Sequence, residues 1–163
     1  MGLRVPLFSL VVMAILILST GCDTWDEITA KNGDEVGPTE ADTHKQQLLE
    51  KLEEDYDDAD AHYQLGSLYQ EDGLWDRARQ QYTIAIRFDP VHRAAQAGVV
   101  KTLMEAGEQD RAQMHADIYI DQAAASAAAS LRMAKAFQRQ GLDDYALQCY
   151  RQARQLAPES AKI

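Results

Sequence analysis

Residues 63–69 read YQLGSLY, and their apolar side chains fall at the spacing of one face of a helix. Leu65, Leu68 and Tyr69 form that face. Gly66 lies among them and carries no side chain, so the axis of a second helix can approach closely at this point. The stretch therefore predicts an amphipathic helix that packs tightly against a neighbouring helix.

A glycine recurs along the chain at a spacing of 34 residues, as Gly73, Gly107 and Gly141. An alanine recurs at the same spacing, as Ala78, Ala112 and Ala146. Glycine can take the left-handed conformation that ends a helix, and Pro90 cannot continue one. Each unit is then a helix hairpin with an apolar flank that it cannot bury alone, so the units must stack on one another.

The first unit resembles a tetratricopeptide repeat, whose pattern is W-x2-L-G-x2-Y followed by G, A, F, A and P. The residues that carry the resemblance are Leu65, Gly66, Tyr69, Gly73, Ala78, Tyr82, Ala85 and Pro90, with His62 in the place of Trp. The repeats span residues 59–92, 93–126 and 127–160. The second is degenerate, because Val100 replaces the tight-packing glycine and Ala124 replaces the proline. The resemblance implies an all-α fold, a short tetratricopeptide-type solenoid of about seven helices.

A helix that caps the array is predicted before the first repeat, within residues 43–58. Thr43 and Gln46 have the spacing of a capping box at its start. Leu48 and Leu52 fall 34 residues before Tyr82 and Ile86, in register with the second helix of a unit. This helix is therefore expected to cover the open flank of the first repeat.

Two features are expected to depart from a regular array. Residues 123–130 are nearly all Ala and Ser, which predicts a continuous helix at the junction of the second and third repeats. No second capping helix is predicted after Pro158. The flank of the last helix near Leu147 and Leu156 is therefore expected to be uncovered, which leaves self-association, a partner contact or fraying open.

The N-terminus, residues 1–21, has the features of a secretory signal. Arg4 precedes an apolar run over residues 5–18, whose 14 residues are fewer than the about 20 that a membrane-spanning helix needs. Residues 18–22 read LSTGC and resemble the lipobox of bacterial lipoproteins. In that family the cysteine, here Cys22, receives a diacylglyceryl group and the peptide before it is removed. An uncleaved membrane anchor is the alternative.

The lipobox resemblance implies a chain anchored by lipid to a bacterial cell membrane and facing the periplasm. Asp23 follows Cys22 directly and resembles the signal that retains lipoproteins of enteric bacteria in the inner membrane, so the inner membrane is favoured over the outer. Residues 22–42 contain the lipidated cysteine and a spacer with Gly, Pro and acidic residues but no apolar periodicity. The spacer is predicted to be disordered, either as a tether or as a leader without function.

The net charge of −10 is concentrated before the repeats. Residues 23–60 hold 14 acidic and 3 basic residues, whereas residues 61–163 hold 12 of each. A neutral repeat domain lacks the basic face that nucleic acids require. The same balance opposes electrostatic docking on anionic lipid. The expected partners are therefore one or more envelope proteins, with the lipid anchor as the contact with the membrane.

No motif for catalysis, for a metal or for a cofactor other than the covalent lipid is found in the sequence. The histidines lie outside any ligand spacing and are expected at helix surfaces or junctions, and they are His44, His62, His92 and His115. Cys149 is expected to be a small buried residue, with an intermolecular disulfide as the alternative. The chain is therefore predicted not to be an enzyme.

The tetratricopeptide resemblance implies a concave groove lined by the first helix of each repeat. The groove residues are then Tyr63, Ser67, Gln70, Lys101, Met104, Arg132, Lys135 and Arg139. Its basic end is expected to hold an acidic peptide or a terminal carboxylate, although the family's two-carboxylate clamp is absent. Ordinary solvated charges, and the acidic spacer folding back into the groove, are the alternatives.

The expected function is therefore that of a membrane-anchored scaffold or adaptor. Similar lipoproteins serve in pilus and secretion assembly, in outer-membrane protein insertion and in delivery of substrates to an envelope protease. A homo-oligomeric structural component, assembled through the last helix, is the alternative.

Overall fold

The computed structural model describes residues 39–158. The predictions for the signal peptide, for Cys22 and for the spacer up to residue 38 lie outside the described residues. Within residues 39–158 the chain forms seven helices and no strand, which confirms the all-α prediction. The helices are α1 (Glu40–Glu54), α2 (Ala59–Glu71), α3 (Trp75–Phe88), α4 (Arg93–Glu105), α5 (Gln109–Ala123), α6 (Ala127–Arg139) and α7 (Asp143–Leu156).

The turns inside the three hairpins share one geometry. Gly73, Gly107 and Gly141 have φ angles of 72°, 77° and 70°, the left-handed conformation that glycine adopts without strain. The residue after each glycine donates its backbone N–H back into the preceding helix, as Leu74 does to the Tyr69 carbonyl at 2.8 Å. This hydrogen bond closes the helix end, so the second helix of each hairpin starts in the same direction.

Tyr82 is fully buried at the centre of the first two repeats, between two glycines. A Cβ atom added to Gly66 on α2 would lie 2.8 Å from the ring of Tyr82, and one added to Gly98 on α4 would lie 2.5 Å from it. The second repeat therefore regains a close approach at Gly98, two residues before the position where Val100 replaces the family's glycine.

Helix α1 covers the outer flank of α2. Leu48 and Leu52 are buried against Ala61 and Leu65. The helix begins at Glu40, so Thr43 lies inside it, and the prediction that Thr43 caps the helix was wrong. The first turn of α1 contains the acidic residues Glu40 and Asp42, at the end of the helix where the helix dipole favours negative charge.

The expected continuous helix at the junction of the second and third repeats was also wrong. Helix α5 ends at Ala123 and α6 begins at Ala127. Ser126 has an extended backbone, and its side chain accepts a hydrogen bond from the N–H of Ala129 at 3.1 Å. Alanine favours continuation of a helix, so the alanines of this stretch do not end α5. The side chain of Ser126 instead satisfies a free N–H group at the start of α6 and so separates α6 from α5.

Candidate functional site

A cleft of about 360 Å³ opens between the loop before α4 and the exposed side of α6. One wall is Arg132, Lys135 and Arg139 on α6, and Arg93 at the start of α4 faces it. Val91 and two alanines supply the apolar part of the lining. We call this site, defined by Arg93, Arg132, Lys135, Arg139 and Val91, the basic cleft.

The positive charges of the basic cleft are incompletely compensated. Within residues 39–158, no carboxylate lies within ion-pair distance of Arg132, Lys135 or Arg139, although both partners of eight other ion pairs lie in that range. Two acids do line the cleft, Asp60 and Asp89. Four cationic side chains therefore face two carboxylates, and the local excess of charge is positive.

The two carboxylates of the cleft already have partners. The Oδ1 atom of Asp60 lies 3.0 Å from Nε2 of His92, and Oδ1 of Asp89 accepts a hydrogen bond from the N–H of Val91 at 3.0 Å. Asp89 also lies close enough to favour the charged form of Arg93. Neither acid therefore neutralises the three cations of α6.

Arg93 is the most constrained cation of the cleft. Its side chain is half-buried and donates a hydrogen bond to Oε1 of Gln96 at 2.8 Å. Burial lowers the pKa of Arg93, and the like charge of Arg132 lowers it further. The guanidinium remains charged at any physiological pH, so an anion in the cleft would relieve a repulsion that is already present.

His92 is the N-cap residue of α4 and holds the start of that helix in place. Its Nδ1 accepts the N–H of Ala95 at 3.1 Å and so caps the helix, which leaves the proton on Nε2 to donate to Asp60. The ring of His92 also packs on Tyr63, with centroids 4.9 Å apart. These contacts fix the loop that carries Val91 and the start of α4 at Arg93, and they hold the ring of Tyr63 beside that of His92.

His62 was expected at a surface or junction, and this prediction was wrong, because only 2% of the residue is exposed. Its Nε2 donates to the carbonyl of Tyr56 at 3.0 Å, and its Nδ1 lies 2.7 Å from Oε1 of Gln81. The ring stacks on Phe88. His62 thus fills the place of the family's tryptophan as a flat ring, and hydrogen bonds satisfy both of its nitrogens.

The eight predicted groove residues lie in different local surroundings. The structure brings Arg132, Lys135 and Arg139 together in the basic cleft. Lys101 is paired with Glu105 on its own helix at 2.6 Å. Met104 lies in a separate pocket beside Leu142 and Tyr145, and Ser67 is half-buried beside Tyr82.

Gln70, another predicted groove residue, forms hydrogen bonds to other side chains of the protein. Its Oε1 accepts a hydrogen bond from the hydroxyl of Tyr82 at 3.0 Å, and its Nε2 donates to Oε1 of Gln140 at 2.9 Å. The second of these hydrogen bonds joins the first repeat to the end of α6 in the third. Gln70 is therefore committed to a structural contact between repeats.

Sequence reasoning missed Arg93 and Val91 as members of the cleft. Arg93 carries one signal in the sequence, since it is a cation at the first position of a helix, where the helix dipole disfavours positive charge. Val91 follows Pro90 in a loop and is 63% exposed. No periodic pattern marks Val91, because loop residues stand outside the helical register.

Other kinds of site receive no support within the described residues. No group of three or more His, Cys, Asp or Glu residues there could hold a metal ion. No helix there is long and apolar enough to cross a membrane. Cys149 is fully buried as predicted, and burial raises the pKa of its thiol to about 11 against the opposing effect of Arg93.

Comparisons with known proteins give likenesses of fold only. No protein-family model and no curated protein sequence matches the chain. A solved structure described as the crystal structure of MamA is 23% identical, with a TM-score of 0.51 over 73% of this chain and 70% of that one.

Two further solved structures are similar. A second MamA crystal structure is 23% identical over 72% of this chain and 64% of that one, with a TM-score of 0.49. A structure described as MamA MSR-1 C2 is 18% identical over 81% and 72%, with a TM-score of 0.46. The first likeness, together with the helical hairpins, shows a tetratricopeptide-type helical solenoid, as the sequence predicts.

Proposed function

We propose that this chain is a non-enzymatic interaction scaffold of the bacterial envelope, anchored by a lipid on Cys22, that binds a partner protein at the basic cleft. The observation that carries the proposal is the row of Arg132, Lys135 and Arg139 on one side of α6, without ion-pair partners among the described residues. Charged side chains that stay together without partners inside a cleft indicate a surface kept for a ligand of opposite charge.

The stacked hairpins support a role in binding rather than catalysis. Each helix pair contacts mainly its neighbours, so the fold presents a rigid surface on which side chains are held in fixed positions. The cleft is open and lined by four cations, of which the three on α6 have no ion-pair partner among the described residues, and this suits recognition of an anionic group.

The anchor is proposed from the LSTGC sequence at residues 18–22 and from the short apolar run before it. A single acyl chain binds a membrane only marginally, whereas two or three hold a protein durably, at about 0.8 kcal/mol per buried methylene. Such an anchor would keep the scaffold at the periplasmic side of a membrane. Assembly of pili, secretion systems or the envelope, and delivery of substrates to an envelope protease, are the roles that fit.

The anchor is tested by the intact mass of the protein from the membrane fraction, native against Cys22→Ser. The expected native species starts at Cys22 and carries a diacylglyceryl group, and the variant lacks both changes. A full-length, unmodified native mass would contradict the anchor and, with it, the envelope location.

The partner site is tested by a photoreactive amino acid placed at Val91, on the rim of the basic cleft. The matched control is the same group at Met114, which is 52% exposed on α5 and outside the cleft. We expect a discrete cross-linked protein in cells from position 91 and not from position 114. Equal cross-linking from both positions, or none from position 91, would remove the cleft as the partner site.

Self-assembly through the last helix is a second candidate function. Leu147 and Leu156 on α7 are 46% and 48% exposed, although both are large apolar side chains. Stacking a further helix on this flank would bury them, as α1 buries the corresponding flank of the first repeat. Light scattering should then show a concentration-dependent mass that falls to the monomer value in Leu156→Asp. A constant monomer mass for the native chain would exclude this function.

A further inference from the structure

We infer that the ligand of the basic cleft is a short extended peptide segment of a partner protein in which acidic side chains alternate with small apolar ones. This inference rests on the proposed function and specifies the chemistry of the partner. The spacing of the cations, the apolar part of the lining and the neutral charge of the surrounding domain each support it.

The cations of α6 lie in a row along the helix. Arg132, Lys135 and Arg139 are three and four residues apart, so they share one face of the helix. With a rise of about 1.5 Å per residue, successive cations are separated by about 4.5 and 6 Å along the axis. Side chains on one face of an extended peptide repeat every about 6.6 Å. Carboxylates at alternate positions of such a peptide can therefore each meet a cation of α6.

The remaining lining suits the other face of the same peptide. Val91 in the loop before α4 and Ala94 at the start of α4 supply most of the apolar surface of the cleft, since the alanine that lines it on α6, Ala136, is only 3% exposed. The wide exposure of Val91 leaves an apolar side chain at the rim that a ligand could cover. Small apolar residues between the acids would reach this surface. Arg93 on the opposite wall can take a further carboxylate or the end of the chain.

Asp60 and Asp89 limit what else can enter. They place negative charge at the edge of the cleft, which would repel a continuous polyanion. A peptide whose acidic side chains lie only beside the cations of α6 would avoid this repulsion. Residues 61–163 are neutral as a whole, so they lack the net positive charge that favours the counterion release by which proteins bind nucleic acids. The chemistry therefore favours a peptide.

The test uses the full chain in detergent and a fluorescein-labelled peptide in which Glu alternates with Ala, measured by fluorescence anisotropy. The control peptide has Gln in place of every Glu. The cleft variant is Arg132→Gln with Lys135→Gln. The matched variant is Arg151→Gln with Arg154→Gln, which removes the same charge from exposed residues of α7 outside the cleft.

We expect the native chain to bind the Glu peptide and not the Gln peptide. The cleft variant should weaken binding by about tenfold or more, since charge-assisted hydrogen bonds are lost. The α7 variant should retain the native affinity. Equal weakening in both variants, no change in the cleft variant, or no binding by the native chain would overturn the inference. Displacement by an equal concentration of a single-stranded oligonucleotide would overturn it in favour of nucleic acid.

Failure of this inference and failure of the proposed function are distinguishable. If the cross-link from position 91 persists in the Arg132→Gln and Lys135→Gln variant, the cleft binds a partner but not through its cations, and only the inference fails. If no cross-link forms from position 91 in the native chain, the proposed function fails at this site.

Discussion

Gln70 and Gln140 are 70 residues apart in the chain, and their side chains meet in a hydrogen bond of 2.9 Å. Gln70 lies near the end of α2 in the first repeat, and Gln140 caps α6 in the third. The same Gln70 accepts the buried hydroxyl of Tyr82. One polar side chain thus links the core of the first repeat to a repeat that is not its neighbour in sequence.

This link predicts an order of stability between two variants. Gln70→Ala removes the acceptor of the hydrogen bond that the buried Tyr82 hydroxyl donates and should lower the free energy of unfolding by about 1–3 kcal/mol. Gln140→Ala removes only the bond between repeats and should cost about 0.5–1.5 kcal/mol. Urea denaturation measures both, with the exposed Gln64→Ala as the control. An equal loss in the two variants would show that Tyr82 does not depend on Gln70.

The two glycines against Tyr82 give the second prediction. Alanine is a better helix former than glycine by about 1 kcal/mol, so a glycine-to-alanine change at an exposed helix position normally stabilises a protein. At this position the added methyl would lie 2.5 Å from the ring of Tyr82, which is buried and cannot move aside. We expect Gly98→Ala to destabilise the fold by about 1–3 kcal/mol.

A double-mutant cycle tests the cause of that loss. Tyr82→Leu removes the ring, so Gly98→Ala in the Tyr82→Leu background should cost less than in the native background. Chemical denaturation of the four proteins gives the coupling free energy. Additive losses would show that Gly98 acts through the backbone of α4 and not through contact with Tyr82.

The repeat spacing predicted most of the fold because it rests on local requirements. A left-handed turn needs glycine, and this need recurs at Gly73, Gly107 and Gly141. The close approach at Gly98 was not predicted, because it lies outside the repeat register and depends on which face of α4 meets Tyr82. The break before Ser126 was missed for a similar reason, since one capping hydroxyl outweighed the helix preference of several alanines.

The candidate site was less predictable than the fold. Arg132, Lys135 and Arg139 could be placed from the register alone, because they share one helix. Arg93 could not, because its approach to α6 depends on how the degenerate second repeat packs. Gln70 lies at a groove position of the repeat, but its side-chain amide is hydrogen-bonded to Tyr82 and Gln140. The repeat register predicts which side chains lie on the groove face of a helix. Tertiary contacts determine which of those side chains remain free to bind a ligand.

Cys149 gives a prediction about reactivity. The thiol is buried, and its pKa is raised to about 11 by burial, so the reactive thiolate is scarce at neutral pH. Alkylation by iodoacetamide at neutral pH should be slow in the folded chain and fast in urea. Peptide mapping of residue 149 by mass spectrometry measures the rate. Rapid labelling of the folded chain would restore the intermolecular disulfide as an alternative.

Asp58 gives a prediction about acid stability. It caps α2 by accepting the N–H of Ala61 at 2.8 Å, and it forms an ion pair with Lys51 on α1. The hydrogen bond from Lys51, followed by that from Ala61, lowers the pKa of Asp58 below its ordinary value of 3.8. A carboxylate whose pKa is lowered by folding contributes stability above its unfolded pKa and loses that contribution as pH falls through the folded pKa.

Comparison with Asp58→Asn isolates this contribution, because asparagine also caps helices but cannot pair with Lys51. At neutral pH the variant should have the lower melting temperature, and the difference should shrink as pH falls from about 5 to about 2. In a Lys51→Gln background the effect of Asp58→Asn should be smaller throughout. A difference in melting temperature that stays constant with pH would mean that the charge of Asp58 does not stabilise the joint between α1 and α2.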